Sequence, residues 1–239
     1  MKKVPLHIVL FPDGNRRWAK NRGLPALKGH WEGYKNLMKF CYWCKDRGVK
    51  TLTAFGFSTE NWKRSKKEVN YLMRLFEKGL INKKNFKKAE KEKVRIRIIG
   101  QKERLPKSLQ KMIEKVENLT KNNKEFQLNL AVSYGGKWDI LQAVQKIIKE
   151  KIPAEKIDKN LFSKFLSTAD LPDPDLVIRA GGEKRLSNFL LWQTAYSELY
   201  FSKKLWPDFT EKDLDDALLD YAQRQRRFGG TPITPLSSL

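Results

Sequence analysis

The sequence predicts an α/β fold, with a mostly parallel sheet of about six strands covered by helices on both faces. Short β-branched and apolar runs alternate with longer amphipathic stretches along the 239 residues, which is typical of parallel sheets. A hydrophobic content of 40% with seven tryptophans indicates a substantial core. No repeat or Gly/Ser-rich linker divides the chain. We therefore expect one domain over residues 1–239, and the order of the tail 230–239 is left open.

The first predicted strand, residues 7–11, contains the apolar run 8–11 and is followed by a proline. Further short runs rich in β-branched and aromatic residues predict strands at 51–57, 94–99, 127–132, 176–179 and 198–201. Apolar residues at helical spacing predict helices near 31–47, 66–92, 107–122, 137–149 and 211–225. In such sheets ligands bind beyond the carboxyl ends of the strands, so the residues that follow the strands are the first candidates for a site.

The turn after the first strand, residues 12–18, reads Pro-Asp-Gly-Asn-Arg-Arg-Trp. Backbone N–H groups at the start of a helix, with arginines beside them, bind phosphate groups. The carboxylate of Asp13 would repel such a ligand unless a divalent cation lay between them. These residues fit a metal–diphosphate site, but they equally fit an exposed turn with solvated charges.

Two further polar clusters follow other predicted strands. Residues 58–64 combine polar groups with Trp62, which suits a lid over a ligand that has a charged head and an apolar tail. Residues 179–188 contain arginines and a serine around a double glycine, a cationic turn suited to a diphosphate. Glu198 then lies in an aromatic-rich strand, and a carboxylate there is either a metal ligand or the partner of a neighbouring arginine.

The net charge of +22 is unevenly distributed, because residues 63–124 contain 21 Lys and Arg against 7 Asp and Glu, a regional net of +14. Such a surface suits nucleic acid, an anionic membrane or phosphorylated substrates. Since acidic residues are interleaved with the lysines and no nucleic-acid-binding motif is present, a solvated helix surface is favoured.

Cys41 and Cys44 are spaced as Cys-x-x-Cys, but no second pair of metal ligands follows them. They share a helix face with Leu37, so we interpret them as small buried hydrophobic residues and not as a redox pair. No apolar run approaches the ~20 residues of a membrane span. The short apolar run near the N-terminus is not a signal peptide, and we expect a cytoplasmic protein.

Five motifs in chain order resemble the cis-prenyltransferases and, more narrowly, bacterial undecaprenyl diphosphate synthases. They are Asp-Gly-Asn-Arg-Arg-Trp-Ala (13–19), Phe-Ser-Thr-Glu-Asn-Trp (57–62), Tyr-Gly-Gly-Lys-Trp-Asp (134–139), the stretch 179–198, and Arg-Arg-Phe-Gly-Gly (226–230). The resemblance implies the family's fold with a hydrophobic tunnel, Mg²⁺ as cofactor, and a homodimer. It also implies condensation of isopentenyl diphosphate onto an allylic diphosphate, farnesyl or geranylgeranyl, with cis double bonds. The product would be a long polyprenyl diphosphate that serves as a glycosyl carrier lipid and brings the protein into peripheral contact with the membrane.

The resemblance also implies residue roles. Asp13 would hold Mg²⁺ and assist departure of the allylic diphosphate, and Asn61 would accept the proton released in the condensation. The allylic diphosphate would be bound by Gly14, Asn15, Arg16, Arg17, Trp18 and His30. Ser58, Thr59 and Glu60 would form the lid with Trp62 and Arg64 beside it, and isopentenyl diphosphate would be bound by Arg179, Arg185, Leu186 and Ser187. Glu198 would be a magnesium ligand supplied across the dimer interface.

Three positions depart from the family's pattern. Ala26 stands where an arginine usually contacts the allylic diphosphate, so that either Arg22 or Lys28 compensates or the preferred allylic substrate differs. Ser65 replaces a common proline. Gly56 is small where short-chain members carry bulky residues, which predicts a long product and a tunnel lined by Leu128 and Leu130. The alternatives are a non-catalytic or short-chain subunit of this family and a basic nucleic-acid-binding protein.

Overall fold

The computed structural model describes residues 3–81, 87 and 89–225. Within them a six-stranded sheet has the order β3-β4-β2-β1-β5-β6, and every neighbouring pair is parallel. The strands are β1 His7–Phe11, β2 Thr51–Ser58, β3 Val94–Ile99, β4 Phe126–Tyr134, β5 Leu176–Arg179 and β6 Glu198–Phe201. The predicted fold class is confirmed. Four strands have the predicted bounds, whereas β2 and β4 extend further.

The α-helices for which both ends are described are α1 Asn15–Lys20, α2 Ala26–Asp46, α3 Lys66–Ile81, α4 Lys107–Thr120, α5 Gly136–Lys149, α6 Lys159–Ser163 and α7 Glu211–Gln223. Residues 87 and 89–91 are also helical. Helix α2 begins five residues earlier than predicted, because its first turns carry glycines that give no apolar periodicity. The short helix α6 was not predicted. None of the described helices is both long and apolar enough to cross a bilayer. The motif 226–230 and the tail 230–239 lie outside the described residues.

Strand β1 lies in the middle of the sheet, and all five of its residues are buried. Ile8 and Leu10 pack into a core with side chains of α2 and α7, whereas Val9 and Phe11 pack into a second core on the other face. Because both faces are covered, residues 8–11 of the strand are all apolar.

Cys41 and Cys44 are free thiols buried in the core beneath α2. Burial raises the pKa of the Cys41 thiol to about 12 and that of Cys44 well above its ordinary value. Thiols with so little thiolate at neutral pH are poor nucleophiles and metal ligands. Their interpretation as buried hydrophobic residues is confirmed.

A buried polar chain crosses the amino-terminal half of the sheet. His7 Nδ1 lies 2.7 Å from the carbonyl oxygen of Pro172, and His7 Nε2 lies 2.7 Å from Thr53 Oγ1. Since a carbonyl only accepts, Nδ1 carries the proton and Nε2 accepts from the Thr53 hydroxyl, which in turn accepts from Asn129 Nδ2 at 3.0 Å. The neutral imidazole is therefore fully satisfied, and burial lowers its pKa to about 4.

We expect the protein to lose stability as the pH falls from about 6.5 towards 4. The unfolded state takes up a proton on His7 in this range while the folded state does not, so protonation favours unfolding. The loss from His7 is about 2 kcal/mol between pH 7 and pH 5, measurable by urea unfolding at both values. His7→Gln should reduce this loss, and an unchanged pH dependence in the variant would contradict the assignment to His7.

Candidate active site

Arg179 joins the first and third polar clusters at the carboxyl edge of the sheet. Its position at the end of β5 is aligned with Phe11 at the end of β1, and the residue is only 4% exposed. Its guanidinium donates to Asp13 Oδ2 at 2.9 Å, to Ser187 Oγ at 2.8 Å, and to the carbonyl oxygen of Arg185. The strand register therefore brings together the clusters that the sequence predicted to share one edge.

The turn from β1 into α1 is held by close backbone contact with α2. A Cβ atom on Gly29 would lie 2.0 Å from the carbonyl oxygen of Asn15, and one on Gly33 would lie 2.2 Å from Asn15 Oδ1. Gly14 precedes α1 with φ +102°, a left-handed conformation that favours glycine. These glycines let α1 pack directly on α2, and this packing positions Arg16 and Arg17.

Two exposed arginines of the site are paired with carboxylates. Arg17 lies 3.4 Å from Asp13 Oδ1 and 3.4 Å from Glu183 Oε1, and Arg185 lies 2.5 Å from Glu183 Oε2. Exposed ion pairs contribute only about 0–1 kcal/mol, so an incoming diphosphate can replace these partners at little cost. Glu183 was not assigned to the site from the sequence, although its position two residues before Arg185 was a signal.

His30 and Glu68 form a buried pair on the wall of the site. His30 Nε2 and Arg64 Nη1 each lie 3.0 Å from Glu68 Oε1, and Arg16 Nη1 lies 3.9 Å from Oε2. Burial lowers the pKa of His30 despite its acidic neighbour. Burial alone would raise the pKa of Glu68, but its bond to His30 and the two arginines outweigh this and lower it. A neutral imidazole therefore faces an ionised carboxylate, and sequence reasoning did not assign Glu68 to the site.

The predicted lid forms a short 3₁₀ helix, Thr59–Lys63. Asn61 and Ser58 form a reciprocal capping box, in which Asn61 Oδ1 accepts from the Ser58 N–H at 3.1 Å. Trp62 donates to Ser133 Oγ at 2.9 Å and packs edge-on against Phe57 at 5.0 Å. The segment is thus docked on the carboxyl ends of β2 and β4.

A cavity of about 1200 Å³ runs from these polar groups into the apolar interior. This exceeds the ~300–1,000 Å³ of ordinary small-molecule sites. Leu128 and Leu130 line it, as predicted. Gly56 also lines it, at a shift of the β2–β4 register, and a Cβ atom there would lie 3.1 Å from the Phe76 ring. The polar lining includes Asp13, Gly14, Asn15, Arg16, Arg17, His30, Ser58, Glu60, Asn61, Arg64, Arg179 and Ser187.

Trp18 differs from the expectation that it lines the site. Its indole Nε1 donates to Asp208 at 2.7 Å, and the ring packs under the Arg22 guanidinium. Asp208 also pairs with Arg22 at 3.0 Å, and Lys28 pairs with Glu32 at 3.5 Å. Ala26 lines the cavity, whereas Arg22 and Lys28, the two cations expected to compensate for the missing arginine, are not among its lining residues.

Glu198 lies at the amino-terminal end of the parallel strands, whereas Asp13 follows the carboxyl end of β1. Glu198 is aligned with Leu176 at the start of β5, which places it about 10 Å along the strand direction from the carboxyl edge. Arg224 pairs with it at 3.0 Å, so the ion-pair interpretation is confirmed. One chain does not bring Glu198 and Asp13 together, and its role as a metal ligand for a second subunit stays a prediction.

Four further predicted residues, Thr59, Trp62, Arg185 and Leu186, lie around the cavity and are not among the residues that line it. The Arg185 side chain is 62% exposed beyond the site. Leu186 packs against the core that contains Phe189, and Thr59 lies beside Gly135 at the end of β4. Direct contact with substrate by these side chains stays a prediction.

Comparisons with known proteins agree with this geometry. A family model described as "Putative undecaprenyl diphosphate synthase" matches residues 11–229. The chain is 49% identical over 230 residues to the isoprenyl transferase of Thermotoga maritima, covering 95% of this chain and 98% of that one. It is 48% identical over 233 residues to the chloroplastic (2Z,6Z)-farnesyl diphosphate synthase of Solanum lycopersicum, covering 95% and 80%. Lavandulyl diphosphate synthase from Lavandula x intermedia, crystallised with dimethylallyl diphosphate, superimposes with a TM-score of 0.90 at 40% identity, covering 95% and 98%.

We expect Gly29→Ala to destabilise the protein and to weaken diphosphate binding. The added methyl group meets the Asn15 carbonyl, a backbone atom that cannot move without separating α1 from α2, and such overpacking costs about 1–3 kcal/mol. Thermal unfolding and calorimetric titration with inorganic diphosphate measure the two effects. Lys39→Ala, at an exposed position of the same helix, is the control. Unchanged stability of Gly29→Ala would contradict the packing argument.

Proposed function

Because the chain belongs to the undecaprenyl diphosphate synthase family and is a cis-prenyltransferase, we propose that it condenses isopentenyl diphosphate onto farnesyl or geranylgeranyl diphosphate to make a long-chain polyprenyl diphosphate. The supporting observation is the continuity of the cavity. Its polar end carries Asp13, Arg17 and Asn61, and its apolar end carries Leu72 and Leu128. A diphosphate head with a growing hydrocarbon tail matches both ends at once.

The allylic substrate is assigned to the polar turn at the start of α1. Breaking its carbon–oxygen bond leaves negative charge on the departing diphosphate, which the Arg16 and Arg17 guanidiniums stabilise. The carbocation that forms is protected from water by the apolar walls of the cavity. Asn61, whose carboxamide is oriented by the Ser58 N–H, is assigned as the acceptor of the proton released in the condensation.

Isopentenyl diphosphate is assigned to the loop that follows β5. Arg179 and Arg185 supply two guanidiniums and Ser187 supplies a hydroxyl, and these are the groups assigned to bind that diphosphate. The Arg179–Asp13 ion pair at 2.9 Å links this loop to the allylic site. Two substrates held on either side of that pair react without a diffusive encounter.

Magnesium fits the polar end of the cavity. Mg²⁺ in proteins is usually held by one or two carboxylates together with waters and substrate phosphates. The Asp13 side chain is 35% exposed and supplies one such carboxylate. Among residues 3–81, 87 and 89–225, no group of three or more His, Cys, Asp or Glu gathers to hold a metal, so the substrate diphosphate would complete the coordination. When bound, the ion would neutralise charge on the diphosphate.

A homodimer is supported by an exposed apolar stripe on α5. Leu141, Val144 and Ile148 share one face of that helix and are 61%, 39% and 69% exposed. Exposed apolar patches of this kind mark protein interfaces. In the proposed dimer, Glu198 of one subunit would serve the magnesium site of the other.

Peripheral membrane contact from the cytoplasmic side is supported by the chemistry of the product. Each added isoprene buries about five carbons at ~0.8 kcal/mol per CH₂, so a long product leaves the cavity slowly unless lipid accepts it. The basic region 63–124, with a net charge of +14, would favour an anionic membrane surface.

The assay that tests the function is Mg²⁺-dependent incorporation of labelled isopentenyl diphosphate primed by farnesyl or geranylgeranyl diphosphate. Asp13→Asn should reduce the rate at least about a hundredfold, because the carboxylate that faces the diphosphate is lost. Asp46→Asn, at an exposed position of α2, is the control. Absence of incorporation by the wild type, or an undiminished rate in Asp13→Asn, would exclude the proposal.

Product length is tested at Gly56. A side chain there enters the cavity between β2 and α3, beside Phe76, so we expect Gly56→Leu to give shorter products while the first condensation persists. Gly56→Ala is the graded comparison, with a smaller shortening. Products are sized by chromatography after dephosphorylation. Unchanged product lengths in Gly56→Leu would show that the growing hydrocarbon chain does not pass residue 56.

A further inference from the structure

We propose that Asn188 is a positioning residue that latches the segment Thr59–Lys63 onto the loop 179–188 at the end of β5. The functional meaning of the latch rests on the proposed function, because this segment is the assigned lid and the loop is the assigned isopentenyl diphosphate site. The contacts themselves are independent of that assignment.

The first part of the latch is the fixed orientation of the Asn188 carboxamide. Its backbone oxygen accepts from Gly136 N at 2.6 Å, and its Oδ1 accepts from Lys137 N at 2.9 Å. Asn188 thereby caps the first N–H groups of α5 with two acceptors. Since a backbone N–H only donates, Oδ1 must face α5, and Nδ2 is left to face the other way.

The second part is the bond from Asn188 to the lid. Nδ2 donates to Glu60 Oε1 at 2.9 Å, and Glu60 lies within Thr59–Lys63. Partial burial alone would raise the pKa of Glu60, but the Asn188 bond and bonds from groups of the lid itself outweigh it and lower the pKa. The acceptor is therefore ionised, and bonds to charged acceptors are the stronger ones.

The backbone at Asn188 favours this residue type. Its φ is +62°, between Ser187 at +45° and Leu190 at +46°. Asparagine tolerates the left-handed region better than most residues. One residue thus meets three needs: the backbone conformation, the cap on α5, and the donor to the lid.

Gly135 supplies independent evidence that the lid and the loop meet at this point. A Cβ atom on it would lie 2.6 Å from Thr59 Oγ1 and 2.8 Å from Asn188 Nδ2. Its φ of −154° is extended backbone that any residue adopts. The missing side chain, and not the backbone freedom of glycine, is what lets the two segments close over the end of β4.

The latch couples the position of the lid to the position of Arg179. Ser187, next to Asn188, accepts from Arg179 at 2.8 Å, and Arg179 pairs with Asp13. Displacement of Asn188 by lid opening would therefore loosen the hydroxyl that orients Arg179.

The test is hydrogen exchange of the amides of residues 59–63 in the ligand-free protein. Asn188→Asp keeps the acceptor for Lys137 N but turns a negative oxygen towards Glu60, so exchange should speed up about tenfold. Glu60→Gln alone still accepts from Asn188 and should change exchange less than about threefold. The double variant Glu60→Gln with Asn188→Asp reverses donor and acceptor, and exchange should return to within about threefold of the wild type.

Two further variants test the latch even if Asn188→Asp does not fold. Glu60→Ala truncates an exposed side chain, and Gly135→Ala forces Thr59 and Asn188 apart, so both should speed exchange of residues 59–63. Asn118→Asp, the same change at an exposed position of α4, is the control and should have no effect. Unchanged exchange in Glu60→Ala, or a double variant no slower than Asn188→Asp, would overturn the latch. Because no substrate is used, an inactive protein would still report on the latch, whereas failure of the proposed function would appear only in the incorporation assay.

Discussion

The buried guanidinium of Arg179 is the interaction on which the rest of the site depends. A charge that is 4% exposed is costly unless it is paired and hydrogen-bonded. Asp13 supplies the opposite charge, while Ser187 and the Arg185 carbonyl take further donors. These partners come from both loops that bind the two diphosphates in the proposed reaction. The pair therefore holds the substrate loops in a fixed relation, and loss of the Asp13 carboxylate would leave the buried charge of Arg179 without its ionic partner.

Close backbone contact is the second constraint, and glycines provide it. Gly29 and Gly33 bring α1 onto α2, so that the Asp13 turn faces Arg179. Gly135 allows the lid and the loop after β5 to meet at the end of β4. In each case the absence of a Cβ atom removes a steric barrier. At Gly29 the obstructing atom would be a backbone oxygen, whereas at Gly33 and Gly135 side-chain atoms of Asn15, Thr59 and Asn188 would have to move.

The cavity has a polar end and an apolar end. At its polar end Arg17 is paired with Asp13 and Glu183, so binding of a diphosphate there exchanges one anionic partner for another. Its apolar end passes between β2, β4 and α3, where Gly56 leaves room beside Phe76. A ligand with one charged end and one long apolar end would make favourable contacts at both ends of the cavity.

The sequence by itself determined most of the sheet. Strands β1 and β5 are buried along their whole length and are rich in apolar residues, and the half-buried strands β3 and β6 also have the predicted bounds. The sequence also indicated that the clusters around Asp13, Asn61 and Arg179 share one edge, since carboxyl ends of parallel strands do so. Only the tertiary structure decided which side chains meet. In the structure Trp18 donates to Asp208, and Glu198 lies at the amino-terminal end of the strands. Asn188 donates to Glu60, which is 128 positions away in the sequence. Periodicity describes burial within one segment, whereas such pairs depend on strand register and on the packing of segments that are distant in the chain.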